Sequence, residues 1–305
     1  MNHVISAKAF TKDQLQSLLE EASAMQNILS QGGSRLLDGK IMAALFFEPS
    51  TRTRLSFETA MHRLGGHVIS TENAREFSSA IKGETLEDTI RVVSGYADVI
   101  VLRHYEIGAA SRAALVSQVP VLSAGDGAGE HPTQALLDLF TIYREIGRTE
   151  DVTIAMIGDL MYGRTVHSLV YMLSQFPGIR LICTAPQTTP MPADVIEYAS
   201  SRGVRVEFEQ DLHVAAKKAD VLYQTRVQKE RFPTLEQYEM SRDAYIIDES
   251  ILELMGQRSI IMHPLPRLGE ITQAVDQDPR AAYFRQTHYG VPVRMALLKR
   301  AVVKG

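Results

Sequence analysis

Two arginines stand at the start of a predicted helix, where a cation is electrostatically unfavourable. The segment Glu48-Pro49-Ser50-Thr51-Arg52-Thr53-Arg54 follows an apolar run at 41–47 and precedes a helical pattern over 52–64. Ser50 suits the N-cap position, which puts both arginines in the first turn, where the helix dipole favours acidic residues. A bound phosphate explains this arrangement, because free N–H groups, hydroxyls and a guanidinium would converge on it. An ordinary capped helix with solvated arginines explains the same spacing without a ligand.

Other polar segments follow predicted strands or open predicted helices. They are Arg103-His104, His131-Pro132-Thr133-Gln134 and Gly158 to Thr165. His131 and Gln134 are three residues apart across a helix start, so both can face one point and polarise a carbonyl oxygen without a metal. Arg164 again places a cation at a positive helix end, which indicates a carboxylate site. Each segment also has an interpretation without a ligand. Arg103 is then a surface charge, His131 a structural histidine, and Gly158 to Thr165 an ordinary turn between strand and helix.

Three further segments carry weak signals when taken alone. Arg226 and Gln228 alternate within the run Thr225 to Arg231 and can point the same way, although such a run is usually a solvated loop. In His263-Pro264-Leu265-Pro266-Arg267, two prolines fix the backbone and leave carbonyls free to accept from a ligand amide. The stretch Ser78 to Glu84 is interpreted, without further information, as a mobile surface loop.

Short apolar runs alternate with helical patterns along the chain. Strands are predicted at 41–47, 67–71, 98–103, 119–124, 152–158, 180–185, 204–208, 219–224 and 259–263. Helices are predicted at 11–30, 52–64, 84–95, 106–117, 132–147, 164–175, 191–202, 211–217, 250–256 and 293–303. The alternation predicts an α/β fold with two doubly wound parallel-sheet domains joined by the interdomain helix 132–147. In such folds, sites lie beyond the carboxyl ends of the strands.

The composition is typical of a soluble globular enzyme. Of 305 residues, 45% are hydrophobic and 22% charged, and the net charge of −4 gives no general attraction to nucleic acid or acidic membranes. The single cysteine, Cys183, excludes a disulfide or a cysteine-based zinc site within the chain. No apolar run approaches the ~20 residues of a membrane helix, and the first residues lack a secretory signal pattern. We therefore expect a cytoplasmic protein.

Together the motifs resemble those of the aspartate/ornithine transcarbamoylase family over essentially the full length. The matching segments are 50–54, Lys82-Gly83-Glu84-Thr85, His131–Gln134, Tyr162 to Ser168, Arg226–Arg231 and His263–Arg267. The last two resemble the aspartate branch, because ornithine enzymes typically carry a cysteine in the final motif and a Ser-Met-Gly loop. The resemblance implies transfer of the carbamoyl group of carbamoyl phosphate to the amino group of L-aspartate, giving N-carbamoyl-L-aspartate and phosphate. This is a step of de novo pyrimidine (UMP) biosynthesis that needs no cofactor and no metal, since carbamoyl phosphate is already activated.

The resemblance also implies a role for each matching residue. The phosphate is expected to contact Ser50, Thr51, Arg52, Thr53 and Arg103. The carbamoyl oxygen is expected to contact Thr53, Arg103 and His131. The carbamoyl NH2 is expected to meet Gln134 and the backbone carbonyls of Leu265 and Pro266. The aspartate carboxylates are expected to contact Arg164, Arg226 and Gln228.

The same resemblance implies a homotrimer with shared active sites. Ser78, as a carbamoyl phosphate ligand, and Lys82, as a catalytic and aspartate-binding residue, would reach into the neighbouring subunit's site. Glu48 would bridge to Arg164 and Arg231 when the two domains close. A regulatory chain or dihydroorotase is a possible further partner that the sequence leaves open.

The implied domains are a carbamoyl phosphate-binding domain at 1–147, an aspartate-binding domain at 148–287 and a C-terminal helix at 288–305 packing back on the first domain. There are three alternatives, the first of the same class of enzyme and the other two of different classes. A transcarbamoylase for another amine, such as ornithine, would not need arginines that suit a dianion. An inactive homologue that scaffolds a partner enzyme should have lost phosphate-site residues. A nicotinamide-dependent oxidoreductase should carry the Gly-x-Gly-x-x-Gly spacing, which is absent at 158–163.

Overall fold

The computed structural model of this protein describes residues 3–74, 83–226, 234, 236, 238 and 245–303. Contacts divide the chain into two compact units. Unit 1 runs to Leu137 and resumes at His288, and unit 2 is Asp138–Thr287. Each unit contains one parallel sheet with helices around it, which confirms the predicted α/β class.

The strand and helix bounds follow the predicted alternation. The strands are β1 (Ile41–Phe46), β2 (His67–Thr71), β3 (Val99–His104), β4 (Val121–Asp126), β5 (Thr153–Ile157), β6 (Arg180–Thr184), β7 (Arg205–Phe208), β8 (Val221–Gln224) and β9 (Ile260–Met262). The described α-helices are α1 (Lys12–Ser30), α2 (Thr51–Arg63), α3 (Leu86–Val93), α4 (Ala109–Val116), α5 (Pro132–Ile146), α6 (Arg164–Leu173), α7 (Ala193–Ser200), α8 (Leu212–Lys218), α9 (Glu249–Leu254) and α10 (Tyr283–Val302). Within the described ranges, no helix has the length and apolarity needed to cross a membrane.

Each sheet has one point at which the strand order reverses. The order is β2-β1-β3-β4 in unit 1 and β7-β6-β5-β8-β9 in unit 2, and every pairing is parallel. The chain therefore changes direction between β1 and β3 in the first sheet and between β5 and β8 in the second. Ligands of doubly wound sheets bind at such switch points, outside the carboxyl ends of the strands.

Burial of the central strands holds each unit together. Helices cover both faces, so β3, β4, β5 and β8 are buried along their whole length and consist largely of apolar residues. On one face of the second sheet, the alternating residues Ala155 and Ile157 pack with Leu222 and Ile261. Fully burying one large side chain of this kind contributes about 1.5–3 kcal/mol. The buried polar residues at strand ends, such as Arg103, are exceptions that need a specific explanation.

The last helix begins ten residues before its predicted start. The sequence pattern predicts 293–303, whereas α10 spans Tyr283–Val302 and contains Pro292. Gly290 and Pro292 weaken the local signal, but packing overrides propensity here. A Cβ at Gly290 would lie 2.3 Å from Arg294 Nη1 and 3.4 Å from Leu137 Cδ2, so the helix packs closely at this glycine.

The end of α10 belongs to unit 1. Lys299 donates to Glu21 of α1 at 2.7 Å, and Arg300 also pairs with Glu21. The contact division falls inside α5, after Leu137, whereas the predicted boundary at 147/148 lies at the end of that helix. The three-part division into 1–147, 148–287 and 288–305 stays a prediction.

Candidate active site

The start of α2 presents one arginine that no described residue neutralises. Ser50 occupies the N-cap position as predicted, but its side chain makes no capping hydrogen bond. Arg54 is paired, with Glu72 at 2.7 Å and with Glu58 at 3.5 Å. Arg52 is exposed and has no ion pair in the described part of the chain, and partial burial of its guanidinium lowers the pKa of Arg52. The two arginines therefore differ: Arg54 is structural, and Arg52 adds its charge to the positive helix end.

Arg103 is a buried cation at the carboxyl end of β3. It lies opposite Phe46 of β1 and is only 7% exposed. Its Nε donates to Glu48 Oε2 at 2.9 Å, and its Nη1 donates to the Ala124 carbonyl at 3.1 Å. Burial lowers the pKa of Arg103, and the attraction of Glu48 opposes that effect. A buried guanidinium is costly unless it is paired, and Glu48 supplies that partner here.

Glu48 thus has a partner within unit 1. Its predicted bridge to Arg164 and Arg231 is not tested, because Arg231 lies outside the described residues and the bridge belongs to a closed state. Glu48 contacts Arg103, so it partly neutralises that buried cation.

His131 and Arg103 meet across Gly125. A Cβ at Gly125, where φ is +107°, would lie 2.8 Å from Arg103 Nη1 and 3.2 Å from His131 Cδ2. Only glycine allows both the backbone conformation and this approach. The backbone N–H of Gln134 donates to His131 Nδ1 at 3.3 Å, so the neutral ring carries its proton on Nε2 and can donate it to a carbonyl oxygen. An N–H group at Nε2 is the kind of donor that can stabilise an oxyanion.

Sequence reasoning assigned no role to two residues beside Arg103 and His131, namely Gly125 and Asp126. Gly125 is the second-last residue of β4 and directly follows the predicted strand 119–124. Asp126 holds the turn that follows β4, since its carboxylate accepts from the Gly108 amide at 2.8 Å and from the Glu130 amide at 3.0 Å. A glycine directly after a buried strand, followed by an acidic residue, is the local signal that could have identified both.

The second basic cluster lies at the switch point of unit 2. Gly158, with φ +99°, lies so close to β8 that a Cβ there would be 2.4 Å from the Thr225 carbonyl. The Thr225 hydroxyl donates to the Ile157 carbonyl at 2.8 Å, which ties the ends of β5 and β8 together. Arg164 is the first residue of α6, and Arg226 follows Thr225 directly; both are half-buried. The two predicted carboxylate ligands therefore follow the two strands that flank the switch point.

The segment after β9 is held by buried hydrogen bonds. His263 Nδ1 accepts from the Leu265 amide at 2.8 Å, and His263 Nε2 lies 2.8 Å from Glu270 Oε1. Arg267 pairs with Asp276 and donates to the Tyr283 hydroxyl at 3.0 Å, so it is a structural residue. Sequence reasoning missed Glu270, which belongs to no motif. Its only signal is an acidic residue seven positions after a strand-end histidine.

Four predicted site residues lie outside the described residues, so their roles stay predictions. They are Ser78, Lys82, Gln228 and Arg231. The remaining predicted residues lie where the fold predicts ligand sites, at the carboxyl ends of β1, β3 and β4 in unit 1 and of β5, β8 and β9 in unit 2.

A protein with a basic cluster at the switch point of each of two parallel sheets is a two-domain α/β enzyme for small anionic ligands. More narrowly, the chain belongs to the aspartate/ornithine carbamoyltransferase family. The carbamoyl-P binding domain of that family matches residues 2–144, and its Asp/Orn binding domain matches residues 150–301. The resemblance stated from the motifs is confirmed.

Several relatives are similar over almost the whole chain. Aspartate carbamoyltransferase 1, chloroplastic, of Pisum sativum is 54% identical over 98% of this chain and 78% of the relative. The aspartate carbamoyltransferase catalytic subunit of Methanocaldococcus jannaschii is 51% identical over 99% of this chain, and a crystal form of that subunit superimposes with a TM-score of 0.94 over 98% of its length. Trypanosoma cruzi aspartate transcarbamoylase in complex with N-(phosphonacetyl)-L-aspartic acid is 45% identical, with a TM-score of 0.93 over 99% of this chain and 96% of that one.

Proposed function

We infer that this chain is an aspartate carbamoyltransferase: it transfers the carbamoyl group of carbamoyl phosphate to the amino group of L-aspartate, in de novo pyrimidine biosynthesis. The observation that carries this inference is the pairing of Arg103 and His131 around Gly125 in a chain that is 54% identical to a relative named for that activity. Solved relatives bind carbamoyl phosphate, aspartate, and the product with phosphate. The two basic clusters suit the anionic groups of these ligands.

In the proposed mechanism, unit 1 binds the activated group. The start of α2 and the Arg103 guanidinium hold the phosphate through charge-assisted hydrogen bonds. The His131 Nε2–H group donates a hydrogen bond to the carbamoyl oxygen, which gains negative charge as the tetrahedral intermediate forms. The residues proposed for these contacts are Ser50, Thr51, Arg52, Thr53, Arg103, His131 and Gln134.

Unit 2 is proposed to bind L-aspartate through Arg164, Arg226 and Gln228. The neutral amino group attacks the carbamoyl carbon, a C–N bond forms, the C–O bond to phosphate breaks, and the leaving phosphate takes the amine proton. Positioning the amine against the carbonyl supplies much of the acceleration, because it replaces a bimolecular encounter. The carbonyls of Leu265 and Pro266 are proposed to accept from the carbamoyl NH2.

Calorimetry and a steady-state assay test this function together. N-phosphonacetyl-L-aspartate, which carries the anionic groups of both substrates, should bind far more tightly than inorganic phosphate. L-Aspartate should give N-carbamoyl-L-aspartate, and L-ornithine should give no carbamoylated product. Binding of the bisubstrate analogue no tighter than that of phosphate, or turnover of ornithine, would contradict the proposal.

Arg226→Ala separates the two substrates. It should reduce kcat/KM for aspartate by the equivalent of about 2–4 kcal/mol, because a charge-assisted contact to a carboxylate is lost. Carbamoyl phosphate binding should remain nearly intact, since Arg226 belongs to unit 2 and the phosphate cluster to unit 1. Equal damage to both substrates would show that the assignment of Arg226 is wrong.

The chain is further proposed to form a homotrimer in which Ser78 and Lys82 complete the neighbouring subunit's site. Lys82→Ala and Arg52→Ala homotrimers should both be nearly inactive, and subunit exchange should restore activity. Random assembly makes about three quarters of the rings mixed. Each mixed ring has one site in three that joins an intact Arg52 to a neighbour's intact Lys82, so roughly a quarter of all sites should recover. If sizing shows that subunits have exchanged but activity does not return, Lys82 acts within its own chain's site or has no role in catalysis.

Two proposals concern the cellular context. The enzyme is proposed to act in the cytoplasm, although some relatives are named as chloroplastic. Cell fractionation with an antibody against the chain tests this location. Association with a regulatory chain or dihydroorotase is tested by sizing native lysate with and without nucleotides, where a mass above that of the trimer supports a partner.

A further inference from the structure

A buried histidine–glutamate pair lies directly beside a segment proposed to touch the substrate. His263 is 1% exposed and Glu270 is 5% exposed. Glu270 Oε1 lies 2.8 Å from His263 Nε2, and Glu270 Oε2 accepts from the Leu268 and Gly269 amides at 3.0 Å each. Both carboxylate oxygens are therefore satisfied inside the protein. Among the described residues, neither contacts a side chain that is proposed to bind phosphate or aspartate.

The hydrogen bonds fix which nitrogen of His263 carries the proton. The Leu265 amide donates to Nδ1 at 2.8 Å, so Nδ1 has no proton. The proton is then on Nε2, where it is donated to Glu270. Glu270 therefore selects the tautomer in which Nδ1 can accept from the Leu265 amide, because the hydrogen bond at one ring nitrogen fixes the protonation of the other. The other tautomer would place two N–H groups against each other.

The Leu265 backbone needs such support. Its φ is +55°, in the left-handed region that a branched-chain residue such as leucine rarely adopts. A conformation of this kind is unfavourable and persists only where the surroundings impose it. The bond from the Leu265 amide to His263 closes a turn over Pro264 and fixes the peptide plane that precedes Leu265. With that plane fixed, the dihedral angles of Leu265 set the direction of its own carbonyl.

The histidine is itself anchored to the core of unit 2. The His263 amide donates to Gln286 Oε1 at 2.9 Å, and Gln286 Nε2 donates to Asp138 Oδ1 at 2.7 Å. The other oxygen of Asp138 accepts from the Tyr223 hydroxyl at 2.7 Å. This chain of buried hydrogen bonds runs from the sheet to the backbone of His263. The Leu265 segment is therefore attached to a rigid support at both the main chain and the ring.

We propose that His263, held in one tautomer by Glu270, is a positioning residue that directs the Leu265 and Pro266 carbonyls and so makes the enzyme select a carbamoyl NH2 over a methyl group. The inference rests on the proposed function, which assigns those carbonyls to the NH2. Carbonyls aimed at an NH2 group reject an analogue that lacks it, because the oxygens are left without a donor. Carbonyls that are not held in place can rotate away from a methyl group, and the enzyme then no longer discriminates between the two ligands.

Two stable phosphonates measure the selection directly. Phosphonoacetamide and 2-oxopropylphosphonate have nearly the same shape and the same charge, but the first carries NH2 where the second carries CH3. The wild-type enzyme should bind the amide at least about tenfold more tightly, the value of one well-formed hydrogen bond of about 1.4 kcal/mol. Inorganic phosphate, which has neither group, serves as the reference for the phosphate cluster.

Two substitutions of His263 separate its two contacts. His263→Asn keeps an acceptor for the amide two residues on, as in an Asx turn, but does not reach Glu270. His263→Gln reaches Glu270 but leaves the Leu265 amide without its acceptor. The asparagine variant should keep the preference for phosphonoacetamide within about threefold, and the glutamine variant should lose about tenfold of it. Phosphate should bind both variants as it binds the wild type.

A merely structural role predicts another result: both variants would lose thermal stability and affinity for all three ligands in parallel, with the preference unchanged. An unchanged preference in folded His263→Gln overturns the inference. If that variant does not fold, Glu270→Gln replaces it; its side-chain amide can donate to Nε2 and favour the wrong tautomer, so it should also lose the preference. A wild-type enzyme without any preference for the amide also overturns the inference, whereas a wild-type enzyme without transferase activity counts against the proposed function.

Discussion

Replacing Glu270 with glutamine should weaken folding by an amount that depends on pH. Burial of Glu270 opposes its ionisation, but the hydrogen bonds from His263 and from the Gly269 and Leu268 amides outweigh that effect. They lower the pKa of Glu270 from 4.5 to about 2. At about 1.36 kcal/mol per pKa unit, this preference for the ionised form contributes about 3 kcal/mol to the free energy of unfolding.

The sign of the effect follows from the direction of the pKa. The folded protein holds the ionised carboxylate more strongly than the unfolded chain does. The contribution is therefore fully present above about pH 5 and is lost as the pH falls through 4.5 towards 2. The part of the difference between wild type and Glu270→Gln that comes from the carboxylate should be about 3 kcal/mol at pH 7 and about half of that at pH 3. The glutamine side chain adds a cost that does not change with pH, because its NH2 group must face either His263 Nε2 or the Leu268 and Gly269 amides.

Urea unfolding followed by circular dichroism at several pH values measures this difference. Glu253→Gln is the matched control, because Glu253 is an exposed glutamate of α9 in the same unit. Its effect should stay within about 0.5 kcal/mol at every pH. A difference between wild type and Glu270→Gln that does not change between pH 7 and pH 3 would refute the reasoning about the carboxylate.

Two other substitutions test the support of each cluster. In thermal unfolding, Gly158→Ala should destabilise unit 2 by more than about 2 kcal/mol, because its Cβ would lie 2.4 Å from the Thr225 carbonyl. Gly203→Ala is the control: it has a similar positive φ but no atom within 4 Å of the new Cβ, and it should cost only about 1 kcal/mol. Equal losses would mean that the close approach to β8 is not what requires glycine. Glu48→Gln should bind inorganic phosphate about three- to tenfold more tightly by calorimetry, because the carboxylate that partly neutralises Arg103 is removed. Weaker phosphate binding in this variant would show that Glu48 supports the phosphate cluster instead of competing with it.

Much of the fold could be predicted from the sequence, because its signals are local. Alternating apolar runs and helical patterns locate the strands and most helices within a few residues. Pro132 marks the start of α5, and Ser50 marks the start of α2, through the geometry of single residues. The chemical character of both clusters also follows locally, since arginine at a positive helix end favours an anion there wherever that helix lies.

Other features depend on contacts between residues far apart in the chain. Arg52 and Arg54 are equivalent in the sequence, and only the ion pair of Arg54 with Glu72 on the neighbouring segment separates a structural arginine from a ligand candidate. Arg103 and His131 come together because β3 and β4 are adjacent and Gly125 leaves room for both side chains. Local patterns contain no information on which strands will be neighbours.

The same limit explains the residues that sequence reasoning missed. Glu270 acquires its role only when the chain after β9 folds back so that its carboxylate meets His263 and the Leu268 and Gly269 amides. The early start of α10 likewise results from packing at Gly290, which outweighs the poor helix propensity of glycine and proline. The sequence by itself determined the elements and the charge of each cluster, because backbone propensity and helix dipoles act over a few residues. Tertiary structure decided which of those charges are neutralised and which backbone groups are held in place, because those contacts depend on strand order and close packing.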